Sequence, residues 1–434
     1  MKRLLFITND INNNFIRYLI KNLSKKINVS IFSQKELKLN NIKYIKDRYR
    51  PNIKIDKIIN YLSNPFPSKK ELFYLKFSIL KKNCLHSLLL RIKFFLSFIN
   101  FLPSKDFIYK YYFFFSNEYK NLLKNYDIVL FDSRLNNIYN NNKKIIYESI
   151  KNKKIKVISW CYSWDNIYQN SIIKSADYIL IWSNYFRKLV NKIHQYNDNQ
   201  IINIGAVQFD YLKKKIKTHY KEKYILFVSS YGSDINNTGD NFLKDEIYFL
   251  IKLSKLLNKI DRNINIIVRP YPSSKTNSYN RLKKFKNIKI KEYGKYLLRK
   301  NKYNEKIRFE YSFNRKIKQI LESKIIISFG STFNIECAYF NKIILHINYS
   351  NYHLSNYNFF KKDMENLKIL SPEKFPNVIN NDKQLSNTLI ELLINKKNHK
   401  YKKYNKYIKN IFFKDNINQS AINNLVKKIT SKNF

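Results

Sequence analysis

Residues 324–349 read KIIISFGSTFNIECAYFNKIILHINY and carry the clearest structural signal in the chain. The opening apolar run, which ends at Ser328, is typical of a strand buried on both faces of a parallel sheet. Gly330 allows a tight turn, a helical pattern follows, and a second apolar run begins at residue 342. This order of strand, turn, helix and strand predicts a βαβ unit of an α/β fold.

The same alternation occurs in both halves of the chain. Further strands are predicted at 3–9, 27–33, 127–133, 155–163, 178–183 and 201–207, and then at 223–230, 264–272 and 288–294. In the second half, helical patterns cover 242–258, 313–323, 333–340 and 383–396, and residues from about 400 onward are also helical. These patterns predict two doubly wound domains that face each other across a cleft, with ligands outside the carboxyl ends of the strands.

We place the first domain at 1–212 and the second at 223–400, with the highly charged stretch 210–223 as the linker. The helices of 401–434 are expected to cross back to the first domain. Residues 66–125 form a helical insertion that mixes apolar and basic residues. Two interpretations stay open for this insertion: it rests on an anionic membrane surface, or its apolar side packs on the neighbouring domain.

The composition excludes several classes of protein. The 434 residues include 82 Lys plus Arg against 31 Asp plus Glu, a formal net charge of +51. The lysines are spread along the chain, which favours the bias of an AT-rich genome over a nucleic-acid site. Cys84, Cys161 and Cys337 lie far apart, so neither a disulfide framework nor a zinc site is indicated. A cytoplasmic protein fits these features best.

The turn after residue 328 is a candidate anion site. Ser331 and Thr332 stand where a helix begins, and backbone N–H groups there suit a diphosphate. Glu336, one helical turn later, can accept hydrogen bonds from a ribose or sugar hydroxyl. The alternative is that Ser331 only caps the helix.

Two further strand ends in the second half point to the same chemistry. Gly232 follows the strand at 223–230, where the backbone can approach a phosphate closely. Arg269 follows the next strand and can hold a phosphate or carboxylate in a fork. Read alone, an arginine at this position is more often part of a structural ion pair.

The stretch SWCYSWDN at 159–166 holds two of the three tryptophans. If its strand ends at the cleft, Ser163, Trp164, Asp165 and Asn166 lie at the cleft mouth, where Trp stacks on a sugar and the polar groups bind hydroxyls. In the competing interpretation, both indole rings pack in the core and Asp165 caps the following helix.

Several of these motifs together resemble the GT-B glycosyltransferase superfamily, and more narrowly bacterial surface-polysaccharide enzymes related to the UDP-glycosyltransferase, glycogen phosphorylase and CDP-glycerol glycerophosphotransferase groups. The motifs that carry the resemblance are SWDN at 163–166, IWSNYF at 181–186, INIGAVQFD at 202–210 and STFNIECA at 331–338. Where the family often has R-x-H-P, this chain has RPYP at 269–272, with Tyr271 in place of His. That departure puts an acid/base role at this position in doubt.

The resemblance implies a metal-independent enzyme without a cofactor. It would move a sugar from a nucleotide-sugar donor, bound in the second domain, to a cell-surface polysaccharide or a lipid-linked glycan. The general base would come from the first domain, with Asp10 and Asp165 as candidates. A lipid-linked acceptor would place the protein at the inner face of the cell membrane, where the insertion at 66–125 meets an anionic surface.

Three alternatives stay open at this point. A glycerophosphate-type polymer transferase and a nucleotide-sugar epimerase share the fold, and non-hydrolysing epimerases have a similar Ser–Glu helix. A non-catalytic membrane-associated protein would keep the fold without binding nucleotide.

Overall fold

A computed structural model describes most of the chain and divides it into two compact units. The described residues are 2–8, 14–33, 42–46, 59, 92, 95–96, 104–132, 142–168, 173–215, 220–229, 239–270, 279–291, 294–301, 304–311, 313–349, 365–414 and 419–431. Unit 1 comprises Met1–Lys214 with Phe412–Phe434, and unit 2 comprises Lys215–Ile411.

Unit 1 alternates strands with helices. Its elements are β1 (Arg3–Ile7), α1 (Asn14–Leu23), β2 (Asn28–Ser33), β3 (Lys43–Lys46), α2 (Lys105–Tyr112), α3 (Lys120–Leu123), β4 (Ile128–Asp132), α4 (Lys143–Lys151), β5 (Lys156–Trp160), β6 (Tyr178–Ile181), α5 (Arg187–His194), β7 (Ile201–Asn203) and α6 (Val207–Lys215). Short 3₁₀ helices cover Trp164–Tyr168, Asn184–Phe186 and Asp198–Gln200. The strands form one parallel sheet in the order β3-β2-β1-β4-β5-β6-β7.

Unit 2 repeats the pattern. Its elements are β8 (Tyr224–Val228), α7 (Gly239–Ile260), β9 (Asn265–Arg269), a 3₁₀ helix (Asn280–Leu282), β10 (Ile288–Ile290), β11 (Gly294–Asn301), β12 (Asn304–Tyr311), α8 (Phe313–Leu321), β13 (Ser323–Ser328), α9 (Phe333–Tyr339), β14 (Ile343–Ile347), α10 (Glu365–Leu370), β15 (Val378–Ile379), α11 (Asp382–Leu393) and α12 (His399–Phe412). A last helix, α13 (Ala421–Thr430), belongs to unit 1.

The parallel sheet of unit 2 has the order β10-β9-β8-β13-β14-β15. In both sheets the order reverses beside the first strand of the unit, between β1 and β4 and between β8 and β13, as in doubly wound folds. The central strands are covered on both faces: every residue of β4 and of β8 is buried. The two doubly wound sheets confirm the predicted fold class.

Three features differ from the sequence prediction. The strands β3 and β15 are short edge strands with too few residues to give a pattern. Residues 294–301 and 304–311 pair as the antiparallel hairpin β11–β12, whose charged residues interrupt the apolar pattern of a strand. The predicted linker at 210–223 begins inside α6, which continues to Lys215 and buries Leu212.

The C-terminal helix α13 is anchored to the rest of unit 1 by a half-buried carboxylate. Asp210 on α6 accepts hydrogen bonds from the Ser420 hydroxyl at 2.8 Å and from the Ile422 N–H at 2.9 Å. Burial raises the pKa of Asp210 above its usual value, and these hydrogen bonds oppose that rise. The carboxylate therefore occupies the N-terminus of the helix, where its negative charge is favourable.

The described part of the insertion at 66–125 has one packed side and one exposed side. Tyr109 and Phe113 of the α2 region stack on Tyr147 of α4, with ring centroids 6.0 and 5.9 Å apart. Around the same helix, five large aromatic residues remain exposed: Phe107, Tyr111, Tyr112, Phe114 and Phe115. In the part of the chain that the structure describes, no helix is long and apolar enough to cross a membrane.

Candidate functional site

The carboxyl edge of the unit 2 sheet brings several predicted residues together. Arg269, Val228, Ser328 and His346 are register partners on four adjacent strands, so they form one row at the ends of β9, β8, β13 and β14. Neighbouring strands lie about 4.8 Å apart. The row lies where the strand order reverses, which is where open α/β sheets bind ligands.

The turn after β13 is held by short-range hydrogen bonds. The Ser328 hydroxyl donates to Asn334 Oδ1 at 2.9 Å, and Ser331 Oγ accepts from the Phe333 N–H at 3.2 Å. Gly330 has a φ of 118°, a conformation that a side chain would strain. Thr332 is exposed and makes no capping bond through its side chain. The Ser331 hydroxyl therefore makes a hydrogen bond within the turn, and the exposed hydroxyl-bearing residue is Thr332.

A buried ion pair lies behind this turn. Lys316 of α8 contacts the carboxylate of Glu336 on α9, and the two side chains are 7% and 14% exposed. Burial lowers the pKa of Lys316 below its usual value, and the charge of Glu336 opposes that shift. The pair joins the helices that precede and follow β13, so it fixes the position of the turn between them.

Arg269 adds a second cation to this cluster. It is 3% exposed, donates from Nη1 to Gln319 Oε1, and lies over the Phe333 ring with Cζ 4.9 Å from the centroid. Its positive charge also helps to lower the pKa of Lys316, so the two cations repel each other. Lys316 contacts the carboxylate of Glu336, and Arg269 donates a hydrogen bond to the neutral Gln319. A cluster of this kind favours an anion nearby.

A buried glutamate fixes the position of the residue that follows β8. Glu246 of α7 is 1% exposed and accepts hydrogen bonds from the Ser229 hydroxyl at 2.6 Å and the Tyr279 hydroxyl at 3.0 Å. These bonds fix Ser229, the residue that follows the central strand β8. The predicted residue Gly232 lies three positions further on, outside the described residues.

The predicted residues of unit 1 follow β5. Asn166 is buried; its Oδ1 accepts from the Ser163 N–H at 2.7 Å and its own N–H donates to the Ser163 carbonyl at 3.0 Å. Asp165 is partly exposed in the first turn of the 3₁₀ helix. Asp10 lies outside the described residues. The catalytic roles of Asp165 and Asp10 stay predictions.

Trp164 packs inside unit 1. Its ring is 1% exposed and lies 5.2 Å from the Phe412 ring and 6.0 Å from the Phe186 ring, measured between centroids. Trp160 is also 1% exposed. In this arrangement both indole rings fill the core, as the packing interpretation of SWCYSWDN predicts, and no face of Trp164 is available to a sugar.

Sequence reasoning missed Lys316 and Gln319, although a signal for Lys316 was present. In FNRKIKQIL at 313–321, Ile317 and Ile320 are buried, and Lys316 lies on the same helical face. A lysine on the buried face of a helix needs a buried partner. Among the described residues, no three His, Cys, Asp or Glu side chains are placed to hold a metal ion.

Comparisons with solved structures agree with this architecture. MnaA of S. aureus in complex with UDP superposes with a TM-score of 0.52 at 11% identity, covering 99% of this chain and 96% of that chain. A putative UDP-N-acetylglucosamine 2-epimerase of Listeria monocytogenes gives 0.51 at 10% identity, with coverages of 99% and 96%. The wall teichoic acid polymerase TagF, soaked with CDPG, gives 0.50 at 10% identity, with coverages of 99% and 87%.

These similarities show that the chain has the GT-B fold. No protein-family model and no curated protein matches the sequence. The comparisons therefore show the fold of the chain but not its function.

The buried ion pair predicts an asymmetry between two substitutions. Glu336→Gln leaves Lys316 and Arg269 buried together, so it should lower the free energy of unfolding by about 3–5 kcal/mol. Lys316→Met leaves Glu336 with Arg269 as a nearby cation. It should therefore lower the free energy of unfolding by clearly less than Glu336→Gln does. Urea unfolding followed by circular dichroism measures both.

The matched control is Lys400→Gln, which breaks the exposed pair between Lys400 and Glu391. It should cost no more than about 1 kcal/mol. A larger loss for Lys316→Met than for Glu336→Gln would contradict the placement of Arg269 as a second cation beside this ion pair.

Proposed function

We propose that the protein is a GT-B glycosyltransferase whose unit 2 binds a nucleotide-sugar donor. The observation that carries this proposal is the carboxyl edge of the unit 2 sheet, where the buried cations Arg269 and Lys316 lie close together and the turn at Gly330–Thr332 follows β13. The UDP in complex with MnaA and the CDPG soaked into TagF agree with a diphosphate ligand in this fold.

In the proposed reaction, the sugar leaves a nucleoside diphosphate on which negative charge develops. Arg269 supplies a fixed positive charge, because its guanidinium is held by Gln319 and the Phe333 ring. Charges that are already in place cost no reorganisation when the bond breaks. Helix α9 has only seven residues, so we assign this stabilisation to Arg269 and Lys316, with Ser331, Thr332 and the backbone of the turn as hydrogen-bond partners of the phosphates.

Glu336 keeps its proposed contact with a ribose or sugar hydroxyl. An ionised carboxylate accepts several hydrogen bonds, so its pairing with Lys316 fixes its position and leaves it capacity for a hydroxyl. Gly232 is proposed to let the backbone approach the donor after β8. Asp165 and Asp10 remain the candidates for the general base in unit 1, with Ser163 and Asn166 near the acceptor.

The acceptor is proposed to be a surface glycan carried on a lipid at the inner, cytoplasmic face of the membrane. Five exposed aromatic residues between Phe107 and Phe115 support this proposal, with Phe115 88% exposed. Lys110 lies among them and is also exposed. Aromatic rings with neighbouring lysines suit the boundary between lipid tails and anionic headgroups.

We rank two other activities lower. A glycerophosphate-type transferase would leave phosphate in the product, and an epimerase would convert the nucleotide sugar without an acceptor. The exposed aromatic surface favours a transferase, because an epimerase acts on a soluble substrate alone.

Nucleotide binding should depend on the turn after β13. A nucleotide at 100 times its dissociation constant should stabilise unit 2 by about 2.7 kcal/mol, seen as a thermal shift with one of UDP, GDP, CDP, CMP or dTDP. The variant Ser331→Ala/Thr332→Ala should lose most of this shift, whereas the control Thr430→Ala in unit 1 should keep it. A full shift in the double variant would place the nucleotide elsewhere.

Mass spectrometry of the products separates the three activities. The account expects the sugar in the acceptor fraction without phosphate. Phosphate in the polymer would favour the glycerophosphate-type transferase, and an altered nucleotide sugar in the absence of acceptor would favour the epimerase.

Membrane association should depend on the exposed aromatic residues. Replacing Phe107 and Phe115 with Ser should reduce co-sedimentation with vesicles containing phosphatidylglycerol by about tenfold, since each removes an aromatic ring from the lipid boundary. The control variant replaces Tyr185 and Ile394, which are 54% and 55% exposed elsewhere. Equal losses in both variants would mean that binding is not localised at this surface.

A further inference from the structure

Unit 2 contains a pocket of about 550 Å³ that is separate from the row at the carboxyl edge. It reaches the opposite end of the sheet, because Lys223, Tyr224 and Asn265 at the start of β8 and β9 line it. Its volume lies within the range of small-molecule sites, about 300–1,000 Å³. It is therefore large enough for a ligand of its own.

The pocket arises from the connection between β10 and β13. That connection carries the hairpin β11–β12 and helix α8, and α8 packs beside β13. Ile267 and Lys289 are register partners on β9 and β10, so both point to the same face of the sheet and line the pocket together. Helix α8 forms the other wall through Arg315 and Lys318.

The lining is strongly basic. Five cations line it, Lys223, Lys289, Lys291, Arg315 and Lys318, against the single carboxylate of Glu322. Lys223 Nζ lies 3.0 Å from Glu322 Oε1, so this carboxylate is already paired. Within the described residues, the other four cations have no carboxylate partner.

These four cations are exposed, as many lysines of this chain are, but they line one pocket. The four cations come from two elements, the end of β10 and helix α8, and they surround one concave space. Like charges held around a cavity repel one another, and a cavity with protein walls strengthens the field inside it. An anion with several charges would relieve this repulsion.

We propose that this pocket is a second binding site, for a ligand that carries two or more phosphate groups. Four cations match the charge of two phosphates, and Arg315 can bind a phosphate through two nitrogens. Gln319 connects the pocket to the carboxyl edge: its Nε2 donates to the Lys291 carbonyl at 3.3 Å, and its Oε1 accepts from Arg269. The inference does not depend on the proposed transferase activity.

Titration calorimetry of the full chain with sodium tripolyphosphate, in buffer at about physiological ionic strength, tests this proposal. The variant Lys289→Gln/Lys291→Gln/Lys318→Gln should bind about tenfold more weakly than the unaltered protein, because it loses three charge-assisted contacts. The matched control, Lys255→Gln/Lys259→Gln/Lys383→Gln, removes the same charge from exposed positions outside the pocket and should bind within about twofold. The donor-site variant Ser331→Ala/Thr332→Ala should also keep this binding, which separates the two sites.

Two results would overturn the proposal. One is an equal loss in the pocket variant and the control, which would mean diffuse attraction to a basic surface. The other is no binding of tripolyphosphate by the unaltered protein at millimolar concentration. Vesicles containing cardiolipin, a lipid with two phosphate groups, identify the source of the phosphates. Loss of vesicle binding that is confined to the pocket variant assigns a lipid headgroup, and loss of tripolyphosphate binding with vesicle binding unchanged assigns a soluble ligand.

Discussion

The buried pairing of Lys316 with Glu336 is the constraint on which the site in unit 2 depends. Helix α8 precedes the central strand β13 and helix α9 follows it, and this ion pair joins the two helices. Removing two charges from water is costly, so such a pair persists only with close partners. Arg269 adds a second cation beside it, and the turn at Gly330 lies in the chain between β13 and α9.

Much of the fold could be predicted from the sequence. Long apolar runs such as 127–133 and 223–230 correspond to β4 and β8, because a strand buried on both faces has to be apolar along its whole length. Edge strands carry no such pattern, so β3 and β15 escaped prediction. The hairpin β11–β12 was missed because charged residues interrupt the alternation of apolar positions in its strands.

The candidate site was predictable only where its residues follow strand ends. Arg269 ends one apolar run, and Ser331 follows another within three residues. The parallel topology therefore places both residues at the same edge of the unit 2 sheet. The partner of Glu336 lies on another helix, and no local pattern indicates that Lys316 meets it. For Trp164, the local sequence suggested a sugar site that the packing does not support. An indole ring can stack on a sugar, but Phe186 and Phe412 pack against this ring in the core of unit 1.

A nucleoside diphosphate is proposed to bind at the carboxyl edge of the unit 2 sheet. Hydrogen exchange of the full chain tests this proposal most directly. With the nucleotide that the protein binds, the account predicts slower exchange of the backbone amides at 329–336, around the turn and the start of α9. Slower exchange confined to residues 1–214, with the amides at 329–336 unchanged, would contradict it.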